Sequence, residues 1–245
     1  MIDMHKTFFD NRFSAKVILQ GRAEDVFTSP TLGAKFVLVP AGTFQTGKFG
    51  KQRQTTINKP FYIQKTHVTQ GQWKKVMEDN PSFFKNGGDD CPVENVSWND
   101  VQKFIIKLNN MEGTDKYRLP TESQWEYAAR SGGKLEDYAG TLSESELGDY
   151  AWYYVNSGGE THPVGQKKPN GLGLYDMSGN VWQWVDWCDN HSAGQYPVGP
   201  SSSSFQIRRG GCYLNDAEVC RTTYSYPDTP TFRSDRIGFR LARIL

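Results

Sequence analysis

Thiols and imidazoles are the side chains best suited to hold a soft metal or attack an electrophile, and this 245-residue chain carries four of each. Cys91, Cys188, Cys212 and Cys220 have no zinc-site spacing, because no two lie two to four residues apart. They allow two disulfides, one, or none, and sequence does not pair them. His5, His67, His162 and His191 are scattered singly, so each reads as a hydrogen-bonded structural residue rather than a ligand. No Ser-His-Asp signature occurs and no GxGxxG opens a helix; the glycines punctuate turns. What stands out is an ending suited to contact. Residues Arg208 to Leu245 hold seven Arg but no Lys, Gln, Met or Trp, although those four types make up 41 of the 245 residues.

Within that ending, twelve residues are the candidate ligand-binding set: Tyr213, Asn215, Asp216, Val219, Tyr224, Tyr226, Asp228, Thr229, Phe232, Ser234, Asp235 and Arg236. Tyr and Phe supply rigid contact area at low entropic cost, and short polar side chains supply adaptable hydrogen bonds, the mixture found in antibody loops. Phe239 is expected in the core, and Tyr213 divides between core and surface. Arg221, Arg233 and Arg240 are expected to brace loops through carbonyls and carboxylates. The adjacent Arg208 and Arg209 read as solvated surface.

The elements that must carry this ending follow from local signals. FVLVP reads as a strand stopped by Pro40, and AGTF turns into a second. Thr69 is placed to cap a helix running through Met77. Ser97 caps another, with Val101, Phe104, Ile105 and Leu108 at helical spacing. Thr121 and Gln124 form a capping box for a third, whose apolar face holds Trp125 and Ala128 or Ala129. VILQ (17–20) is a further strand candidate. From Gly132 to Pro200 the pattern dissolves into turns, so long loops pinned by Trp152, Trp182, Trp184 and Trp187 are expected there rather than a sheet layer. Residues 1–33 read as an extension and 34–245 as one domain. Lys and Arg total 28 against 27 Asp and Glu, a net charge of +1. No global field therefore draws the chain to nucleic acid or an anionic membrane. No run approaches about 18 apolar residues, and the start lacks the apolar segment of a cleavable signal.

Seven blocks occur in order between Lys35 and Arg243: VPAGTFQTG, FYIQKTHVT, CPVENVSW, YRLPTESQWEYAAR, NGLGLYDMSGNVWQW, RRGG and IGFRLAR. Together they resemble the formylglycine-generating-enzyme or sulfatase-modifying-factor family, which implies an α+β, C-type-lectin-like, loop-rich fold. Active members oxidise a substrate cysteine with oxygen through copper held by two cysteines five residues apart, soon after the Gly-Gly; thiolates suit that soft ion. Counted from Gly210-Gly211, the matching positions are Asn215 and Cys220. Counted back from Gly238-Phe239-Arg240, Cys220 matches a different position. The intact pair is absent in either register, and Cys212 with Cys220, eight apart, read as buried thiols or a staple. A related iron group uses a histidine cluster on another domain, which this chain does not supply. The family is also associated with calcium held by loop carbonyls, an Asn and an acidic residue near the GNVWEW motif. Asn180 is retained, but Gln183 stands where Glu is usual, removing a hard anionic oxygen. Asp149 and Asp176 read equally as turn residues. The resemblance as modified here implies no catalytic residues and no cofactor, calcium near Asn180 being the one weak exception.

The ending also resembles the variable segment of diversity-generating-retroelement proteins, here 208–243. Replacing adenines in Asn codons yields many residue types but never Lys, Gln, Glu, Met or Trp, and between Cys212 and Arg236 only Glu218 falls outside the reachable set. The expectation is a non-enzymatic ligand- or receptor-binding protein with an unknown protein or surface ligand, no nucleic acid, and a monomeric state. The alternative is a copper-dependent formylglycine-generating-type oxidase or a degenerate relative. Location would be the cell surface or secreted if an export signal or lipid anchor has been removed from the chain, and cytoplasmic otherwise.

Overall fold

Three helices begin where their capping residues stand. In a computed structural model, which describes residues 25–47, 52–186 and 205–245, α1 (Gln70–Met77), α2 (Trp98–Glu112) and α3 (Glu122–Ala129) start after Thr69, Ser97 and Thr121. Each cap is a reciprocal box in which the hydroxyl accepts from the third helical N–H and that residue's side chain returns to the cap N–H. Gly113, with φ 61°, ends α2 in the left-handed region.

The strands form three groups. A five-stranded antiparallel sheet has the order β1 (Val26–Thr28), β2 (Lys35–Val39), β5 (Phe61–Gln64), β11 (Ala242–Arg243), β6 (Tyr117–Arg118). Placing Ala242 between Ile63 and Arg118 ties the end of the chain to its first half. β3 (Gly42–Thr46) and β4 (Arg53–Ile57) make a separate hairpin. A four-stranded sheet has the order β10 (Ile237–Phe239), β7 (Trp182–Val185), β8 (Gln206–Arg209), β9 (Ser225–Asp228), with β10 parallel to β7. A fourth, one-turn helix, α4, spans Leu147–Tyr150.

Between sheets and helices lies an aromatic core. Trp73 stacks on Phe104 at 5.2 Å, and Phe239 meets both edge-on, as expected of a core residue. A second cluster packs Trp125 and Ala128 of α3 against Ile63 and Val185. Trp184 is fully buried and its indole N–H donates to the Val96 carbonyl at 2.9 Å, fixing β7 to the segment that leads into α2.

Three expectations are corrected. The stretch 132–200 does contain a sheet strand: β7 is central and buried at all four residues, so it shows no alternation of polar and apolar positions. Within residues 1–33, β1 pairs with β2 and so belongs to the sheet. Arg209 is not solvated surface; it is 2% exposed and paired with Glu122 and Glu126. VILQ (17–20), Trp187, Cys188, His5 and His191 lie outside the described residues.

Candidate recognition surface

The four-stranded sheet positions the candidate residues. Successive side chains of a strand point to opposite faces, so the neighbours Arg208 and Arg209 on β8 diverge. Arg209 turns inward over Trp125. Arg208 turns outward, its guanidinium carbon 4.8 Å from the Trp182 ring centre, 4.7 Å from Tyr226 and 5.9 Å from Phe232. Its Nε lies 3.1 Å from Asp228 Oδ2, an ion pair whose alignment falls short of a hydrogen bond. Burial lowers the guanidinium below its ordinary pKa and Asp228 counters that effect. The guanidinium therefore acts as a planar spacer, with a scaffold Trp beneath and two outward aromatic rings from the tail around it.

Of the twelve candidates, Tyr224, Tyr226, Asp228 and Phe232 gather around this stack, Tyr224 lying 6.1 Å from Trp182 by ring centres. Tyr226 and Phe232 are 45% and 40% exposed. A second group centres on the Tyr213 hydroxyl, which donates to Asp235 Oδ2 at 2.9 Å while Ser234 donates to Asp235 Oδ1. Tyr213 itself is 1% exposed and so belongs to the core, where Phe84 meets its ring edge-on at 5.3 Å. Asn215 turns back on its own loop, its Oδ1 accepting from the backbone N–H and the thiol of Cys212, both at 3.0 Å. Val219 packs on the main core. Asp216, Thr229 and Arg236 are exposed. The two groups meet where the Arg236 carbonyl accepts from the Trp182 N–H at 2.7 Å. The bracing arginines behave as expected: Arg221 pairs with Asp137 and Glu218, Arg233 with Asp100, and Arg240 with the carbonyls of Gln64, Tyr175 and Asp176.

Sequence reasoning missed three neighbours. Phe83 is 69% exposed and stands edge-on to Phe84, which rests on Tyr213. Tyr154 and Val155 are exposed on a loop tied to the tail by the Tyr154 N–H donating to the Asn215 carbonyl at 3.1 Å. The available signal was apolar residues stranded in turn-rich loops, PSFFKNGG and WYYVNSGG, without a periodic partner.

A profile of the sulfatase-modifying factor enzyme 1-like domain matches residues 22–245. The chain belongs to the sulfatase-modifying factor enzyme 1-like family. It is 33% identical over 248 residues to the chaperone protein LppX of Paenibacillus barcinonensis, covering 79% of this chain and 84% of that one. It is 33% identical over 170 residues to the formylglycine-generating enzyme of Streptomyces coelicolor, covering 62% of this chain; the chain spans about half the length of that enzyme, 52%. Among solved structures, Treponema denticola variable protein 1 superposes with a TM-score of 0.76 and 32% identity, covering 90% of this chain and 98% of that one. The fold is thus the α+β, C-type-lectin-like fold of this family.

The family's glycines are explained by close approach. A Cβ on Gly210, whose φ is 95°, would sit 2.8 Å from the Met177 carbonyl, and one on Gly211 would sit 2.7 Å from Cys220 Sγ. Cys91, Cys212 and Cys220 are free and buried. Burial pushes the thiols of Cys91 and Cys212 up to about 11, and Cys220 higher still. Thiolates are what bind copper or attack, and burial of this kind disfavours them. At the calcium-associated positions, the Asn180 amide is engaged at both ends by His162, accepting from its N–H at 3.1 Å and donating to its carbonyl at 2.9 Å. Asp149 is exposed and paired with Lys168. Among the described residues no helix is long and apolar enough to cross a membrane.

Proposed function

We propose that the protein is a non-enzymatic binding protein whose C-terminal segment displays a recognition surface for a protein or surface ligand at the bacterial cell surface or outside the cell. The observation that carries this reading is the pair of exposed rings, Tyr226 and Phe232, held on a half-buried Arg208 that rests on a core tryptophan. Rigid aromatic area presented by a braced scaffold lowers the entropic cost of contact. Asp216, Thr229 and Arg236 add exposed polar groups, and Phe83, Tyr154 and Val155 widen the surface. Likeness to a structure named a variable protein supports the further reading that residues 208–243 are diversified.

The binding test is flow cytometry of fluorescently labelled protein on bacterial cells, comparing the native chain with a Tyr226→Ala/Phe232→Ala variant of equal melting temperature. Staining lost in the variant supports the reading, and equal staining counts against this surface. Diversification has its own test: a near-copy of the codons for 208–243, differing at adenines and beside a reverse-transcriptase gene.

The second reading, a copper-dependent oxidase, is favoured by the 33% identity to a formylglycine-generating enzyme. Asn215 argues against it at the first register: its amide is committed to Cys212, and an amide oxygen is a poor partner for Cu(I).

A further inference from the structure

In the loop from Tyr175 to Val181, the carbonyl oxygens of Tyr175, Asp176, Met177 and Val181 each face a side-chain N–H donor. Gln183, fully buried, is the hub. Its Oε1 accepts from Trp125 Nε1 at 2.8 Å and from Arg240 Nε at 2.6 Å. Its Nε2 donates to the carbonyls of Asp176 at 3.2 Å and Met177 at 3.4 Å, so all four capacities of the amide are used. Arg240, also fully buried, donates to the carbonyls of Tyr175 at 2.7 Å and Asp176 at 3.0 Å. His67 Nε2, as the protonated nitrogen, serves the Val181 carbonyl at 3.1 Å.

Converging buried carbonyls need either N–H groups or a cation. Calcium, which the family resemblance associates with this motif, does not fit these residues. It would require its oxygens at about 2.3–2.6 Å, and the Nε2 of Gln183 already stands over two of the carbonyls. We infer that the Gln183 carboxamide takes the place of a resident cation, so that this chain closes its central loop without metal. The residue type decides the matter. A Glu on the same path would keep the acceptor for Trp125 and Arg240 but turn a bare carboxylate oxygen onto the Asp176 and Met177 carbonyls. That oxygen, buried as the Asp176 carboxylate is, would demand a proton or a divalent ion.

The test is thermal unfolding of the native chain, Gln183→Glu and Gln183→Leu, each in EGTA, in millimolar calcium and in millimolar magnesium. The native chain is expected to melt at one temperature, within about 1 °C, in all three. Gln183→Glu is expected to melt lower in EGTA by about 5 °C or more and to regain most of that loss in calcium but not in magnesium. Gln183→Leu, which removes the donors without adding charge, is expected to melt lower in all three buffers alike. If Gln183→Glu does not fold in EGTA, far-ultraviolet circular dichroism on adding calcium reads the same effect. A native chain stabilised by calcium overturns the inference, as does a Gln183→Glu chain that calcium leaves unimproved in both assays.

Discussion

Two adjacent arginines divide structure from display. Arg209 is enclosed by Glu122, Glu126 and the Thr222 carbonyl, and its loss would leave the carboxylate of Glu126, 3% exposed, beside a cavity. Arg209→Ala is expected to cost about 3 kcal/mol in urea unfolding, the lower end for breaking one side of a buried ion pair, because Arg130 stays paired with Glu126 at 3.2 Å. Tyr226→Ala and Phe232→Ala remove half-exposed rings that stack about Arg208, so each is expected to cost under about 1 kcal/mol in the same measurement. The sequence does not announce this division. Burying Arg209 depends on partners more than eighty positions upstream, and no local pattern links Arg209 to Glu126. The surface character of Tyr226 and Phe232 was legible because aromatic and short polar types cluster there. Tyr213, of the same type in the same stretch, sits in the core because the loop carrying Phe84 covers it.

Helix starts were readable because capping is local: Thr69, Ser97 and Thr121 each cap the helix expected after them, and the box expected of Thr121 and Gln124 forms. Thr121 does more than cap α3. It also bridges to Asp186 at the end of β7, so the helix start and the central sheet share a residue. Thr121→Ala is expected to cost about 1–2 kcal/mol by urea unfolding, the upper part of the range for a lost cap. β7 was not readable, since a four-residue strand buried on both faces carries no alternation. Among the described residues β9 is an edge strand, and its Pro227 removes a backbone donor from that edge strand. Pro227→Val is expected to raise self-association, read as a concentration-dependent increase in mass by light scattering; an unchanged mass would show that Pro227 does not guard the edge.

Over the whole molecule, buried carboxyls set the dependence of stability on pH. Burial pushes Glu94, whose Oε1 accepts from the Phe84 N–H, up to about 7, with Asp235 adding to the rise and the backbone of Phe83 and Phe84 and Lys85 opposing it. Burial likewise pushes Asp176 to about 6 against its bond from Gly165 and the charge of Arg240. The folded chain thus keeps protons that the unfolded chain releases. Their stabilising contribution is complete below about pH 4 and is lost as pH rises through 6 to 7. Asp100 acts oppositely: burial favours its proton, but bonds from Arg233 and Ser97 outweigh that and hold it at about 2, so its contribution fades as pH falls toward that value. Melting temperature is expected to peak near pH 4–5 and decline to pH 8, with Glu94→Gln flattening the decline between pH 6 and 8. An unflattened decline would remove Glu94 from the explanation.

At this scale the fold was legible because seven motif blocks occur in the family's order, whereas the full extent of the recognition surface was not. Phe83, Tyr154 and Val155 come beside the tail only through long-range loop contacts. The central proposal is that this chain binds rather than oxidises. Its most direct test is mass spectrometry of a cysteine-containing peptide incubated with the native protein, Cu(I) and oxygen. The peptide is expected to emerge without an aldehyde. Oxygen-dependent conversion of its cysteine to formylglycine, abolished in Cys220→Ser, would contradict the claim.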